Sequence, residues 1–232
     1  MTSEVLAKTY EAVQSEESGS PGPEVEFGRR TFAQVLGAGL LLTMTEGVSF
    51  AQRRGGSRGA ENVAARLHIN QDGTITVMTG KVEEGQGSRA QLTQAAAEEL
   101  RVGVAKIRLV MADTALVPDD GITAGSRTTP STVPAVRRGA ATARELLTDL
   151  AAKRWQVDRR ALDVRDGTIT HQVTGRTVGY ADLAKSEEIA EAFKGSIPSD
   201  VAVRSVSEWE VMGRSVDRPN TRDLVTGAHR YP

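Results

Sequence analysis

Gly80-Lys81-Val82-Glu83-Glu84-Gly85-Gln86-Gly87-Ser88-Arg89-Ala90-Gln91 is the stretch on which the reading of the fold depends. Before it, residues 65–79 alternate, with Leu67 and Ile69 ahead of Gln71-Asp72-Gly73 and Ile75 and Val77 behind. Alternation of period two across an Asp-Gly pair predicts a hairpin. After it, Leu92, Ala95, Ala96 and Leu100 fall at helical spacing, and Ser88 followed by Gln91 has the form of a capping box. Gly85-Gln86-Gly87 therefore lies at a strand-to-helix junction. Backbone amides there can approach a ligand without a Cβ in the way, and a helix N-terminus favours an anion. Gln86 adds an amide donor and a carbonyl acceptor without charge. Gly-x-Gly alone is equally compatible with a simple turn.

Downstream, residues 106–111 read as a short buried strand through Ile107, Leu109 and Val110. The loop at 117–129 follows, rich in glycine and hydroxyls around Arg127. Its free amides and hydroxyls suit a second anion-contacting turn, and its length favours function over a plain surface loop. From Ser131 a long helix is predicted, because Val136, Ala140, Ala143, Leu147 and Leu150 form a core-facing stripe. Pro134 sits in its first turn, and Ser131 or Thr132 is the expected cap. Residues 162–170 repeat the strand-turn-strand pattern around Asp166-Gly167, 180–184 and 189–193 read as short helices, 201–211 as a strand, and 220–232 as loop. The class is α/β (α+β), hairpins and short strands packed with helices.

Upstream, residues 1–28 carry Glu4, Glu11, Glu16, Glu17, Glu24 and Glu26 around a Ser-Gly-Ser-Pro-Gly-Pro tract, and read as a disordered acidic leader. Arg29-Arg30-Thr31-Phe32, an apolar run at 35–42 and Ser49-Phe50-Ala51 give 29–52 the form of a twin-arginine export signal. An ordinary short helix after a basic pair is the alternative. Export places the chain in the periplasm or on the outer face of the cytoplasmic membrane; without it the chain is cytoplasmic. Residues 53–62 read as a Gly/Arg-rich linker.

A length of 232 residues allows one or two domains and a sizeable core. Lys plus Arg number 29 against 30 Asp plus Glu, which argues against a nucleic-acid footprint. Cysteine is absent, which excludes disulfides, thiolate zinc sites, protein-held iron–sulfur clusters and a cysteine nucleophile. His68, His171 and His229 lack metal-site spacing.

Residues 80–100, 107–114 and 117–141, taken in order, resemble one lobe of the molybdopterin-binding subunit of the molybdenum hydroxylases, the superfamily of xanthine dehydrogenase and aldehyde oxidase. The arginine pair and the closing Val-Thr-Gly-Ala-His-Arg-Tyr-Pro are more similar to the isoquinoline 1-oxidoreductase beta and nicotinate-dehydrogenase-like branch. The resemblance covers 63–232 and implies that Gly85, Gln86 and Gly87 face the pyranopterin dithiolene. It implies that Thr123, Ala124, Gly125, Ser126, Arg127 and Thr128 bind the pterin phosphate or an attached cytosine nucleotide. Molybdenum would be held by cofactor sulfurs, with no protein ligand. Iron–sulfur clusters would sit in a partner subunit, with a c-type cytochrome as a further electron carrier.

The Gly-Glu-x-Pro segment with the family's catalytic glutamate, the Gly-Gly-Phe-Gly-type loop, the hammerhead domain and the second cofactor lobe are not found. Glu83 and Glu84 read as a solvated pair and receive no catalytic role. The expectation is a lobe truncated before the hammerhead, or one half of a split subunit completed by the remaining part, inactive alone. The alternatives are an exported non-catalytic remnant or assembly protein of the same fold and an unrelated phosphate-binding α/β domain. The latter is disfavoured by the missing Gly-Lys-Ser/Thr.

Overall fold

A computed structural model describes residues 62–218 and 221–228. The acidic leader, the twin-arginine-like segment, most of the linker and His229 lie outside the described residues.

The predicted hairpin is present. β1 (Leu67–Ile69) pairs antiparallel with β2 (Ile75–Thr79), Leu67 opposite Val77 and Ile69 opposite Ile75. Gly73 takes φ 84° in the turn, and the Asp72 carboxylate accepts from the Thr74 amide at 2.9 Å. α1 (Ser88–Leu100) then carries the chain to β3 (Ile107–Met111), which pairs parallel with β2. A parallel neighbour requires such a crossover, and it leaves β2 as the central strand, buried along its length. α2 (Val133–Trp155) packs against α1. Its stripe of Val136, Ala140, Ala143, Leu147 and Leu150 is buried with Leu92, Ala95, Ala96 and Leu100 of α1 and the apolar face of β1 and β2.

A second sheet, antiparallel throughout, of β4 (Leu162–Arg165), β5 (Thr168–His171) and β6 (Thr177–Gly179), adds Val164 and Ile169 to the same core. α3 (Tyr180–Leu183) and α4 (Glu187–Phe193) close it with Leu183, Ile189 and Phe193.

Four local expectations are corrected. Ser88 is the first residue of α1 and not its cap; Gly87 holds the cap position at φ 83°, and the Gln91 side chain turns to Thr129. The chain enters α2 through a widened turn, Thr128–Thr132, in which the Val133 amide donates to the Thr128 carbonyl five residues back. Pro134 has no N–H to give, and its ring excludes the regular approach to the carbonyl of residue 130, so the turn opens and neither Ser131 nor Thr132 caps it.

Residues 201–211 form no strand. They are an irregular strap with one 3₁₀ turn, Val206–Glu208, because the buried carboxylate of Glu98 takes the strap's amides instead of a neighbouring strand. Finally, the tail read as loop contains a short helix, α5 (Thr221–Thr226).

Candidate functional site

The site is built where β2 leaves the sheet. Asp120, in the loop after β3, reaches back to that point and pairs with Arg66, Nη2 to Oδ1 at 2.5 Å and Nη1 to Oδ2 at 2.8 Å. The same carboxylate accepts from the Thr79 hydroxyl at 2.6 Å and the Gly80 amide at 2.9 Å. Arg66 is 0% and Asp120 2% exposed. Burial pushes the Asp120 carboxyl up, but the bonds and charge of Arg66, then Thr79 and Gly80, outweigh it and hold the group below its ordinary value.

Lys81 donates to the carbonyls of Ile122 at 2.8 Å and Gly121 at 3.2 Å, and the Val82 amide donates to Thr123 Oγ1 at 2.9 Å. Gln91 Nε2 donates to Thr129 Oγ1 at 3.0 Å. Two glycine-bearing turns, 41 residues apart at the Val82–Thr123 bond, are thereby laid side by side.

The close approach is specific to Gly80. A Cβ there would lie 2.4 Å from the Pro118 carbonyl oxygen and 3.0 Å from the Asp120 amide nitrogen. Gly80→Ala is therefore expected to force the second loop outward and cost about 1–3 kcal/mol by overpacking. Gly103→Ala, where an added Cβ meets nothing within 4 Å, serves as the control. Urea midpoints of the two variants check this; equal midpoints would show that the loop yields freely.

The first turn does not match the expectation of free amides. The Glu83 carboxylate accepts from the amides of Gly85 and Gly87, both at 2.9 Å, and from Arg89 at 2.8 Å, with the Ser88 hydroxyl at 3.3 Å. It is the cap of α1, half-buried and not solvated as read from sequence. Burial, which raises its pKa, is outweighed by these donors, so it stays ionised below the ordinary range. Arg218 Nη2 stands 3.5 Å from it. Gln86 is folded on its own turn, accepting from the Glu84 amide at 2.6 Å and donating to the Val82 carbonyl at 3.0 Å. Gly85, Gln86 and Glu84 are exposed; space around Gly87 is open, with nothing within 4 Å of an added Cβ.

The second loop differs. Thr123 is half-buried, Ala124, Gly125, Ser126 and Arg127 are exposed, and Thr128 is buried. Gly125 and Ser126 both adopt left-handed backbone, φ 58° and 57°. The amides of Ala124, Gly125, Ser126, Thr128 and Thr129 find no acceptor among the described residues, and the helical entry at Arg127 has no side-chain cap. Successive free amides in a left-handed kink, followed by a helix N-terminus, make an anion-binding concavity. Among the described residues no group of three or more His, Asp and Glu gathers at metal-binding distance. The free amides and the hydroxyls of this loop form a donor set that fits an anionic group such as phosphate. Arg66, Lys81 and Glu83 were missed as parts of this site; the position of Lys81 and Glu83 between Gly80 and Gly85 hinted at those two, and no local signal pointed to Arg66.

A family model described as "Molybdopterin cofactor-binding domain" matches residues 22–229. A subunit of nicotinate dehydrogenase from Pseudomonas putida is 29% identical over 169 residues, 73% of this chain and 14% of that protein. The beta subunit of isoquinoline 1-oxidoreductase from Brevundimonas diminuta is 32% identical over 155 residues, 64% of this chain and 20% of that one. The chain thus spans at most 20% of the length of these two relatives. Among solved structures, reconstituted CO dehydrogenase from Oligotropha carboxidovorans superposes with a TM-score of 0.46 at 22% identity, over 51% of this chain and 15% of that one. The family match takes in both turns and every element of the described fold, and the chain belongs to the molybdopterin cofactor-binding domain family.

Proposed function

We propose that this chain contributes one lobe of the cofactor site of a molybdenum hydroxylase, an oxidoreductase that hydroxylates a ring carbon of an N-heterocycle or an aldehyde carbon with water as oxygen source. The observation that supports this best is the loop at 124–129 with its free amides, tied to the Gly85-Gln86-Gly87 turn by the Val82–Thr123 and Gly80–Asp120 bonds. Thr123, Ala124, Gly125, Ser126, Arg127 and Thr128 bind the phosphate of the molybdopterin, in its cytosine dinucleotide form. Gln86 reaches the ligand by giving up two exposed hydrogen bonds, each worth about 1 kcal/mol net. Glu83 keeps its place, because its carboxylate secures three amides of the turn.

When bound, the molybdenum centre supplies the redox chemistry at the substrate carbon. Glu83 is committed to the α1 cap, so the base that activates the attacking oxygen comes from elsewhere in the large subunit. Electrons pass to an iron–sulfur partner subunit and onward to a c-type cytochrome. The Arg29-Arg30 segment directs export to the periplasm.

The test is to isolate the tagged chain from the periplasmic fraction of its native host with whatever binds it, and to assay molybdenum and acid-released cytidine monophosphate. Near-stoichiometric amounts of both, with an iron–sulfur subunit, are expected. Neither, with the chain alone, overturns the hydroxylase reading in favour of a non-catalytic binding or assembly protein.

A further inference from the structure

Lys81 carries a charge that no carboxylate among the described residues neutralises. It is 1% exposed, and among the described residues its ammonium donates only to the carbonyl oxygens of Ile122 and Gly121. Among the described residues the other buried side chains with a permanent positive charge, Arg66 and Arg144, each have a carboxylate partner: Asp120 for the first, Glu99 and Glu145 for the second. Of the acids closest to Lys81 in sequence and loop, Glu84 is exposed and the others are engaged elsewhere. Asp120 is held by Arg66, Thr79 and Gly80, Asp119 accepts from the Gly121 amide, and Glu83 caps α1.

Burying an ammonium without a counter-charge is costly, and carbonyl dipoles offset only part of that cost. One of its three donors is also left unused. The two carbonyls it touches belong to the residues immediately before Thr123, so the charge sits against the start of the loop whose amides are free.

We propose that Lys81 is the fixed positive charge that sets the affinity of this loop for a phosphate or pyrophosphate ester. This rests on the reading of the loop as an anion site. Lys81 acts as a positioning residue: it braces the carbonyls of residues 121 and 122 so that the amides after them face outward, and its field adds to theirs. A brace without electrostatic function would give the same hydrogen bonds, and the two roles separate by experiment.

Inorganic pyrophosphate is titrated into the full chain as wild type, Lys81→Gln, Lys81→Met and Lys81→Arg, with calorimetry for affinity and melting without ligand for stability. Arg159→Gln, in a separate arginine-lined cleft between α2 and β4, controls for unspecific binding. Removing the charge is expected to weaken pyrophosphate binding about tenfold to hundredfold, as for a unit charge several ångströms from an anion in partly screened surroundings. The ligand-free melting temperature should move by no more than about 3 °C, Lys81→Arg should retain most of the affinity, and the loss should shrink as salt is raised.

Unchanged affinity in Lys81→Gln and Lys81→Met overturns the proposal. So does failure of both neutral variants to fold, which makes Lys81 a structural brace, and so does a wild-type chain that does not bind pyrophosphate. The hydroxylase reading is judged separately: an assembly that contains molybdenum and cytidine monophosphate equally in wild type and Lys81→Gln sinks the role of Lys81 and leaves that reading intact.

Discussion

Asp120→Ala is expected to destabilise the folded chain by about 3–5 kcal/mol, the range for removing one partner of a buried ion pair. The reason is the guanidinium left behind. Arg66 is fully buried, its Nε has no acceptor among the described residues, and its stem packs against α2 at Gly139, where an added Cβ would come within 3.5 Å of it. It has no route to water. The Thr79 hydroxyl and the Gly80 amide lose their acceptor in the same step.

Arg66→Met should cost a similar amount, while Arg66→Met combined with Asp120→Leu should cost less than the sum, since neither charge is then stranded. Urea unfolding at constant m checks each arm. The pH dependence has a fixed sign. The folded pKa of Asp120 is depressed below its ordinary 3.8, so the pair's stabilisation is complete above that value and lost as pH falls through the folded pKa. Wild-type and Asp120→Ala stabilities should therefore converge below about pH 4. A loss under about 1 kcal/mol at neutral pH would mean that the loop is anchored by Lys81 and Thr123 instead, since a buried pair cannot be broken so cheaply.

What was readable in the sequence follows from what local physics decides. Leu67 through Ile75 and the Asp72-Gly73 pair specify a hairpin without outside help, and the α2 stripe specifies its own buried face. The order of strand, glycine turn, helix and strand was legible in the same way, while the parallel pairing of β3 with β2 was not, and the resemblance to molybdopterin-binding subunits agrees with the family match. The failures share a cause: a side chain reached across the fold to take donors that the local pattern assigned elsewhere. Ser88 and Gln91 have the spacing of a capping box, yet Glu83, outside any such pattern, caps the helix from the turn before it. Residues 201–211 alternate like a strand, but their donors go to Glu98 on α1, more than 100 residues away. Which of the two glycine turns keeps its amides free could not be read either. It depends on a carboxylate folded back in the first turn and on the lack of a side-chain cap at Arg127 in the second.

Glu98→Gln is the second large effect, and it should appear in the strap first. Glu98 lies in the last turn of α1 at 0% exposure, and its carboxylate accepts from the amides of Glu210 at 3.0 Å, Val211 at 2.7 Å and Met212 at 2.9 Å, and from Arg204 Nη1 at 2.6 Å. Burial raises its pKa, the three amides and Arg204 lower it further than that, and the group stays ionised. Gln has the same shape but turns one oxygen into an NH₂, which sets donor against donor and leaves Arg204 without its buried anion. A loss of about 3 kcal/mol or more is expected.

Arg144, Arg137 and Glu99 tie the strap at residues 202–204, whereas beyond Glu98 its 210–214 end is held to α1 by Gln94, so that end should open before the rest of the fold. Hydrogen exchange at Val211 and Met212 should quicken while β2 keeps its protection. Arg218 follows the strap and stands 3.5 Å from Glu83, so opening also removes a cation from the Gly85-Gln86-Gly87 turn. Lowering the pH of the wild type below about 4.5, the ordinary value for Glu98, should loosen the strap in the same way, since a depressed carboxylate stabilises only above its unfolded pKa. If Val211 and Met212 exchange at wild-type rates in Glu98→Gln, the strap is held by the packing of Val211 and Met212 and by Arg137 over the Trp209 ring at 5.5 Å. The carboxylate would then be a buried charge kept for the register of the strap and not for its attachment.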